Sequence, residues 1–361
     1  MISVLANSTY RRLFMAQVIA LVGTGLATVA LGLLAYDLAR ADAGTVLGTA
    51  LAIKMIAYIG VAPVVSAFAD RLPRRALLVS MDVVRATVAM LLPFVDQVWQ
   101  IYVLIFVLQS ASAAFTPTFQ ATIPDILPDE RDYTRALSLS RLAYDLESLA
   151  SPALAAALLA VTSFHWLFSG TALGFVASAL LVAATTLPSA RAAEPRHQGI
   201  YARTFRGIRI YLKTPRLRGL LALTFASAAA SSMVIVNSVV IVQGLLGRPQ
   251  RDLAVTLAIY GAGSMLAALA LSRLLERLSD RTVMVGAGVV LSGGLAAMAL
   301  LAAVLADDGI FWTILLVGWF VLGFAYSMSA TPAGRLLRRS ANAEDRPALF
   351  AAQFALSHAC W

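Results

Sequence analysis

Residues 66–75 read SAFADRLPRR. Asp70, Arg71, Arg74 and Arg75 crowd into six positions of a chain that is 60% hydrophobic and only 13% charged. Apolar sequence flanks the stretch on both sides for the length of a helix, so it reads as a charged loop joining two long apolar segments. That reading extends along the whole chain.

A soluble domain is about one-quarter charged residues, and this composition supplies too little polar surface to coat a globule of 361 residues. Burial in lipid is the alternative. Seven stretches contain no Asp, Glu, Lys or Arg: 13–36, 101–124, 162–188, 219–247, 253–272, 282–306 and 309–334. Each is long enough to cross the hydrocarbon core, which takes about 20 apolar residues. Three more segments of that length carry internal charge: 43–69 with Lys54, 76–94 with Asp82 and Arg85, and 136–161 with Arg141, Asp145 and Glu147. The expectation is an all-α integral membrane protein with ten full spans. An eleventh begins near Ala348 and stops at Trp361. The first apolar core is longer than the 7–15 residues of a cleaved signal, so it is read as a retained helix.

Charge placement predicts the orientation. With a cytoplasmic N-terminus, 22 of the 28 Lys and Arg residues fall in cytoplasmic loops and three (Arg40, Arg248, Arg251) outside. The positive-inside rule requires that asymmetry. The +9 net charge is thereby read as facing an anionic leaflet, not nucleic acid.

The sequence also matches itself. DRLPRRALLV (70–79) lies over ERLSDRTVMV (276–285), with Asp70 on Glu276, Arg71 on Arg277 and Arg75 on Arg281. A second register sets the Thr-Pro of 116–117 on that of 331–332, and DERDYTRALSLS from 129 on EDRPALFAAQFA from 344. Two ordered matches in equivalent loops predict two like halves of six helices. They divide the chain into 1–187, a basic linker 188–218, and 219–361. Trp361 then corresponds to Leu146, and the second half is expected to lack most of span 11 and all of span 12.

On these residues the chain resembles the major facilitator superfamily (MFS), and within it the bacterial drug and small-molecule exporters of the macrolide-efflux and enterobactin-exporter type. The family's loop signature runs Gly-x-x-x-Asp-Arg-x-Gly-Arg-Arg. Here Ser66 and Pro73 replace the glycines, while Asp70, Arg71, Arg74 and Arg75 keep every charge. The exporters' span-5 signature, Gly-x-x-x-Gly-Pro-x-x-Gly-Gly, reads ESLASPALAA at 147–156. Pro152 is kept, Ser151, Ala155 and Ala156 stand for glycines, and Glu147 departs. The resemblance implies a twelve-helix fold of two pseudo-symmetric halves working by alternating access. It also implies a gate in which Asp70 sits against the start of helix 11 and pairs with arginine.

Charges inside spans are costly and mark partners or a watery path. Asp82 and Arg85, three apart, are read as a structural pair. Arg141 and Asp145 are four apart and can also pair, whereas Glu147 points nearly the opposite way. Span 5 borders the central path in the family, so Asp145 or Glu147 is the candidate proton-coupling carboxylate, with helix-to-helix bridging as the rival role, and Lys54 is read as a partner for an acid or as an anion contact. Gln17, Thr24, Gln109 and Asn237 fall on spans that line the cavity in relatives. Trp99, His165 and Trp166 are read as interfacial anchors.

Enzyme function is not expected. There is no phosphate-binding glycine loop with its lysine. His165, His197 and His358 have no metal-ligand spacing, and Cys360 is the single cysteine. The expected protein is a monomeric, multi-pass inner-membrane exporter of amphipathic small molecules, driven by the proton gradient without a bound cofactor. A metal-ion or siderophore exporter is the alternative, or a transport-inactive truncated chain.

Overall fold

The computed structural model describes residues 2–69, 72–187, 205–305 and 309–360, and their regular structure is all helical, with no strand among them. In chain order the helices are α1 (Ser8–Ala39), α2 (Ala43–Ala69), α3 (Arg74–Leu91), α4 (Val98–Ile126), α5 (Glu130–Leu159), α6 (Phe164–Ala183) and α7 (Arg206–Lys213). They continue as α8 (Pro215–Val239), α9 (Gln250–Arg277), α10 (Asp280–Leu305), α11 (Ile310–Ala330), α12 (Ala333–Ser340) and α13 (Arg346–Ala359). Among the described residues, nine helical segments are long and apolar enough to cross a membrane. Helix α5 is as long as these but carries Arg141, Asp145 and Glu147 and is not one of the nine.

Two buried clusters define the ends of the bundle. One joins Tyr10 and Leu13 of α1, Leu78 of α3, Phe119 of α4, Tyr133 of α5 and Val182 of α6. The other joins Leu34 of α1, Ala50 of α2, Ile101 of α4, Ala155 of α5 and Phe168 of α6. Successive long helices therefore run in alternate directions. The first end carries the arginine-rich connections and is called the basic face below. Leu173, Leu180, Val289 and Leu300 are each about two-thirds exposed, as side chains facing hydrocarbon would be. Helical hydrogen bonding keeps their backbone satisfied there.

Helices α1–α6 pack chiefly on one another, with α6 against α1 and α3, and α4 against α2 and α3. A second group has α11 against α8, α9 and α10. The groups meet where α5 lies along α9 and where α13 lies along α2 and α4. Within the second group α9 and α11 cross closely. A methyl at Gly263 would lie 2.1 Å from the Phe320 carbonyl oxygen, and one at Gly323 would lie 2.0 Å from that of Tyr260. This crossing brings Ser264 and Tyr326 together opposite α5.

The C-terminal part of the expected linker is helical. Residues 188–204 lie outside the description, but α7 forms over Arg206–Lys213 and α8 starts at Pro215, so Arg216 and Arg218 belong to a helix's first turn. Tyr211 of α7 donates to Gln353 of α13 at 2.5 Å, docking the short helix under the bundle.

Candidate functional site

Two polar layers join the helix groups. The inner one is built on α5, a helix about 45 Å long with Asp145 at its halfway point. The Arg141 guanidinium lies 2.7 Å from the Asp145 carboxylate. Arg141 also donates to Ser264 Oγ of α9 at 3.0 Å, and Ser264 Oγ donates back to Asp145 at 2.6 Å. The ring of Tyr326 on α11 covers the guanidinium at 4.7 Å. Three helices thus compensate a charge pair in which Asp145 is only 6% exposed.

Glu147 faces away from that cluster. Its partner is Ser151 Oγ at 3.5 Å, one turn on. Both press on α1 at Gly25, where a methyl would lie 2.0 Å from Ser151 Oγ and 2.7 Å from Glu147 Oε1. Lys54 of α2 is within electrostatic reach of Glu147 and lies 5.5 Å from the Tyr58 ring centroid. The Tyr58 hydroxyl donates to Gln109 of α4 at 2.9 Å. Its ring packs against Phe354 at 4.9 Å and His358 at 4.6 Å, both on α13.

The outer layer lies on the basic face and consists of two ion-pair clasps. In the first, Asp125 at the end of α4 accepts from Arg74 at the start of α3 (2.5 Å) and from Arg346 at the start of α13 (2.6 Å). In the second, Asp280 at the start of α10 pairs with Arg335 (3.0 Å) and Arg339 (2.6 Å) of α12. Both arginines also reach Glu130 at the start of α5, Arg335 at 2.7 Å. The clasps are alike with charges exchanged. One reads cation, anion, cation across α3, α4 and α13; the other reads anion, cation, anion across α10, α12 and α5. Arg131 of α5 and Glu276 of α9 add an exposed pair at 2.9 Å.

Several expected residues act elsewhere. Asp82 and Arg85 pair within α3; Ser178 of α6 donates to Asp82 at 2.8 Å, and Arg85 lies between the rings of Phe115 (4.2 Å) and Phe175 (4.5 Å). Gln17 accepts from Ser140 at 3.1 Å, joining α1 to α5. Thr24 and Asn237 bond to carbonyls of their own helices, at Ala20 (2.9 Å) and Met233 (3.1 Å). Asp70 and Arg71 lie outside the described residues, as do the side chains of Pro152 and Ala156. Arg75 is exposed, and Ala155 is buried. Trp99 and Trp166 are 58% and 66% exposed.

Sequence reasoning did not single out Asp125, Asp280, Glu130 or Ser264, and it offered Tyr326 as a lining or lipid-facing aromatic of its span, not as the cover of a guanidinium. One signal was present. In the register that lays 70–79 over 276–285, Arg74 falls on Asp280, the single position at which the copies disagree in sign.

An up-and-down helical bundle with charge pairs held inside it and across one face defines a multi-pass membrane protein of polytopic type. The profile of the Major Facilitator Superfamily matches residues 13–359, and the chain belongs to that family. It is 25% identical over 277 residues to YfiS of Bacillus subtilis (strain 168), described as an uncharacterized MFS-type transporter. That match covers 75% of this chain and 64% of the relative. It is 23% identical over 167 residues to macrolide efflux protein A of Streptococcus pyogenes, covering 45% of this chain and 41% of that protein. The chain therefore matches less than two-thirds of the length of either relative. Among solved structures, the human organic anion transporter MFSD10 superposes with a TM-score of 0.77 at 13% identity, covering 98% of this chain and 90% of that one. A bacterial homologue of ferroportin in an outward-facing state gives 0.74 at 16% identity, covering 98% and 89%. At these identities the structures speak for the fold alone.

Proposed function

We propose that this protein is a secondary active exporter that moves amphipathic small molecules out of the cell in exchange for protons. In this reading the basic face is cytoplasmic, in the inner membrane, and residues 1–187 and 219–361 are two halves that rock about a central path. The observation that carries it is the chemistry of the seam between the helix groups. On the basic face the seam is held by ion pairs, Asp125 with Arg346 and Glu130 with Arg335 and Arg339. Ion pairs exchange readily for water, unlike interlocked apolar side chains, and that suits a contact made in one state and broken in another. The gate expected of Asp70 thereby gains a second carboxylate, Asp125, which holds the first turn of α13.

Glu147 is the proposed coupling carboxylate. Asp145 is held by a guanidinium and a hydroxyl, so neutralising it would break a network. Glu147 has one long hydroxyl contact and a lysine across the space. A proton and Lys54 can therefore alternate as its counter-charge. The macrolide-efflux relatives support export as the direction. The aromatic group of Tyr58 and Phe354 beside Glu147 suits a substrate with an apolar body.

The test is transport by inside-out vesicles carrying the full 361-residue chain, under an imposed inside-acid gradient. A macrolide, ethidium, a catecholate siderophore and ferrous iron are offered in turn. Gradient-dependent uptake of the macrolide or ethidium is expected, with loss in Glu147→Gln. Uptake of iron or siderophore alone would replace the substrate class, and uptake of none would leave a transport-inactive chain.

A further inference from the structure

On the basic face, a cavity of about 180 Å³ is lined by Glu130, Tyr133, Arg335, Arg338, Arg339 and Arg346. Its lining is cationic beyond what the clasps require. The network holds five guanidinium groups (Arg74, Arg335, Arg338, Arg339, Arg346) against three carboxylates (Asp125, Glu130, Asp280). Arg338 is the odd member. It donates to the Pro128 carbonyl and lies 5.2 Å from the Tyr133 ring centroid, but among the described residues it has no carboxylate partner. Among the described residues its Nη1 is buried without a hydrogen-bond partner, as are Arg346 Nε and the Tyr133 hydroxyl. Tyr133 is 0% exposed. Buried donors normally find an acceptor, and leaving one unmet typically costs about 1–3 kcal/mol. Three such donors at one cavity with surplus positive charge call for an oxyanion.

We propose that this cavity is a binding site for a phosphate group, either free phosphate or the phosphodiester of an anionic lipid headgroup. A tetrahedral oxyanion suits the arrangement, because guanidinium forks bind its oxygens in pairs and the tyrosine hydroxyl supplies one further donor. Glu130 does not oppose it, since Arg335 and Arg339 already hold that carboxylate. The site draws on α5, α12 and α13, so an occupant ties the first helix group to the second. Binding itself does not depend on the transport reading. Its consequence does: an occupant would favour the state in which the basic face is closed.

The test uses the purified full chain in an uncharged detergent and radiolabelled inorganic phosphate in equilibrium dialysis. Saturable binding of about one phosphate per chain is expected. Arg338→Gln and Tyr133→Phe should each weaken it by about tenfold, as losing a hydrogen bond to a charged group does. Arg209→Gln, at an exposed position of α7, should not change it. Arg338→Lys keeps the charge and should retain part of the affinity; it carries the test if Arg338→Gln does not fold. Glycerol 1-phosphate and dihexanoyl phosphatidylglycerol are then compared as competitors. Competition at least about tenfold stronger by the lipid identifies a headgroup site, and equal competition identifies free phosphate. No saturable binding, or binding unaltered in both the Arg338 and Tyr133 variants, overturns the proposal. A chain that binds phosphate yet exports nothing would overturn the transport reading alone.

Discussion

The bundle contains two Arg–Asp pairs with nearly the same parts. Each joins residues one helical turn apart, each is completed by a serine from another helix, and in each an aromatic ring covers the guanidinium. They differ in where the serine comes from. Ser178, which completes Asp82 and Arg85, belongs to α6 within the same helix group. Ser264, which completes Arg141 and Asp145, belongs to α9 in the other. The first cluster is closed on itself, with Asp82 0% exposed, and rivets α3 to α6. The second crosses a seam that the proposed cycle must open and reseal. Identical chemistry thus serves as a fixture or as a movable contact according to which helix carries the hydroxyl.

Removing Asp82 should break the comparison most visibly. Asp82→Ala leaves Arg85 buried without its counter-charge, a loss of about 3–5 kcal/mol for a pair of this kind. Little monodisperse protein should then survive size-exclusion chromatography, and normal yield would show that the cluster is no fixture. Glu147→Gln should abolish gradient-driven uptake in vesicles while shifting the melting temperature by no more than about 2 °C, because the hydroxyl contact is long and the attraction to Lys54 acts across a gap.

The two serines give the sharper contrast. Ser178→Ala should cost about 1–3 kcal/mol of stability by leaving a fully buried carboxylate oxygen unmet. Ser264→Ala removes a like bond across the seam and should instead change the transport rate severalfold, with a smaller change in melting. Equal behaviour of the two variants would erase the distinction. Smallest of all is Arg131→Ala at the exposed pair with Glu276. Exposed pairs contribute about 0–1 kcal/mol, so melting should stay nearly unchanged, and a large shift would mean that this contact locks the face.

Much of this was legible in the residues. Charge-free stretches mark seven of the long helices, and the three charged ones also form where expected. The pairing of Asp82 with Arg85 and of Arg141 with Asp145 follows from helical spacing alone. The opposite pointing of Glu147 follows from the same periodicity. What could not be read was the third partner in each case. Ser264 lies 119 positions from Asp145, and one serine among many in an apolar chain carries no mark. Gln17, Thr24, Gln109 and Asn237, grouped by span, divide in the structure. Gln17 and Gln109 bridge helices, whereas Thr24 and Asn237 turn back on their own backbone.

The sequence by itself determined that the chain is built for lipid, where its long apolar runs lie, and which connections hold its positive charge. Those are one-dimensional quantities: hydrocarbon thickness sets a run length, and the cost of charge in hydrocarbon sets where arginines stop. Only tertiary structure decided what each charge does. Compensation of a buried ion depends on groups within about 3–4 Å in space, and here these come from helices far apart in the chain. Hence Asp125 became a clasp holding α3 and α13, Arg335 and Arg339 became its counterpart of opposite sign holding α10 and α5, and Arg338 was left facing a cavity whose lining carboxylate, Glu130, those two arginines already hold.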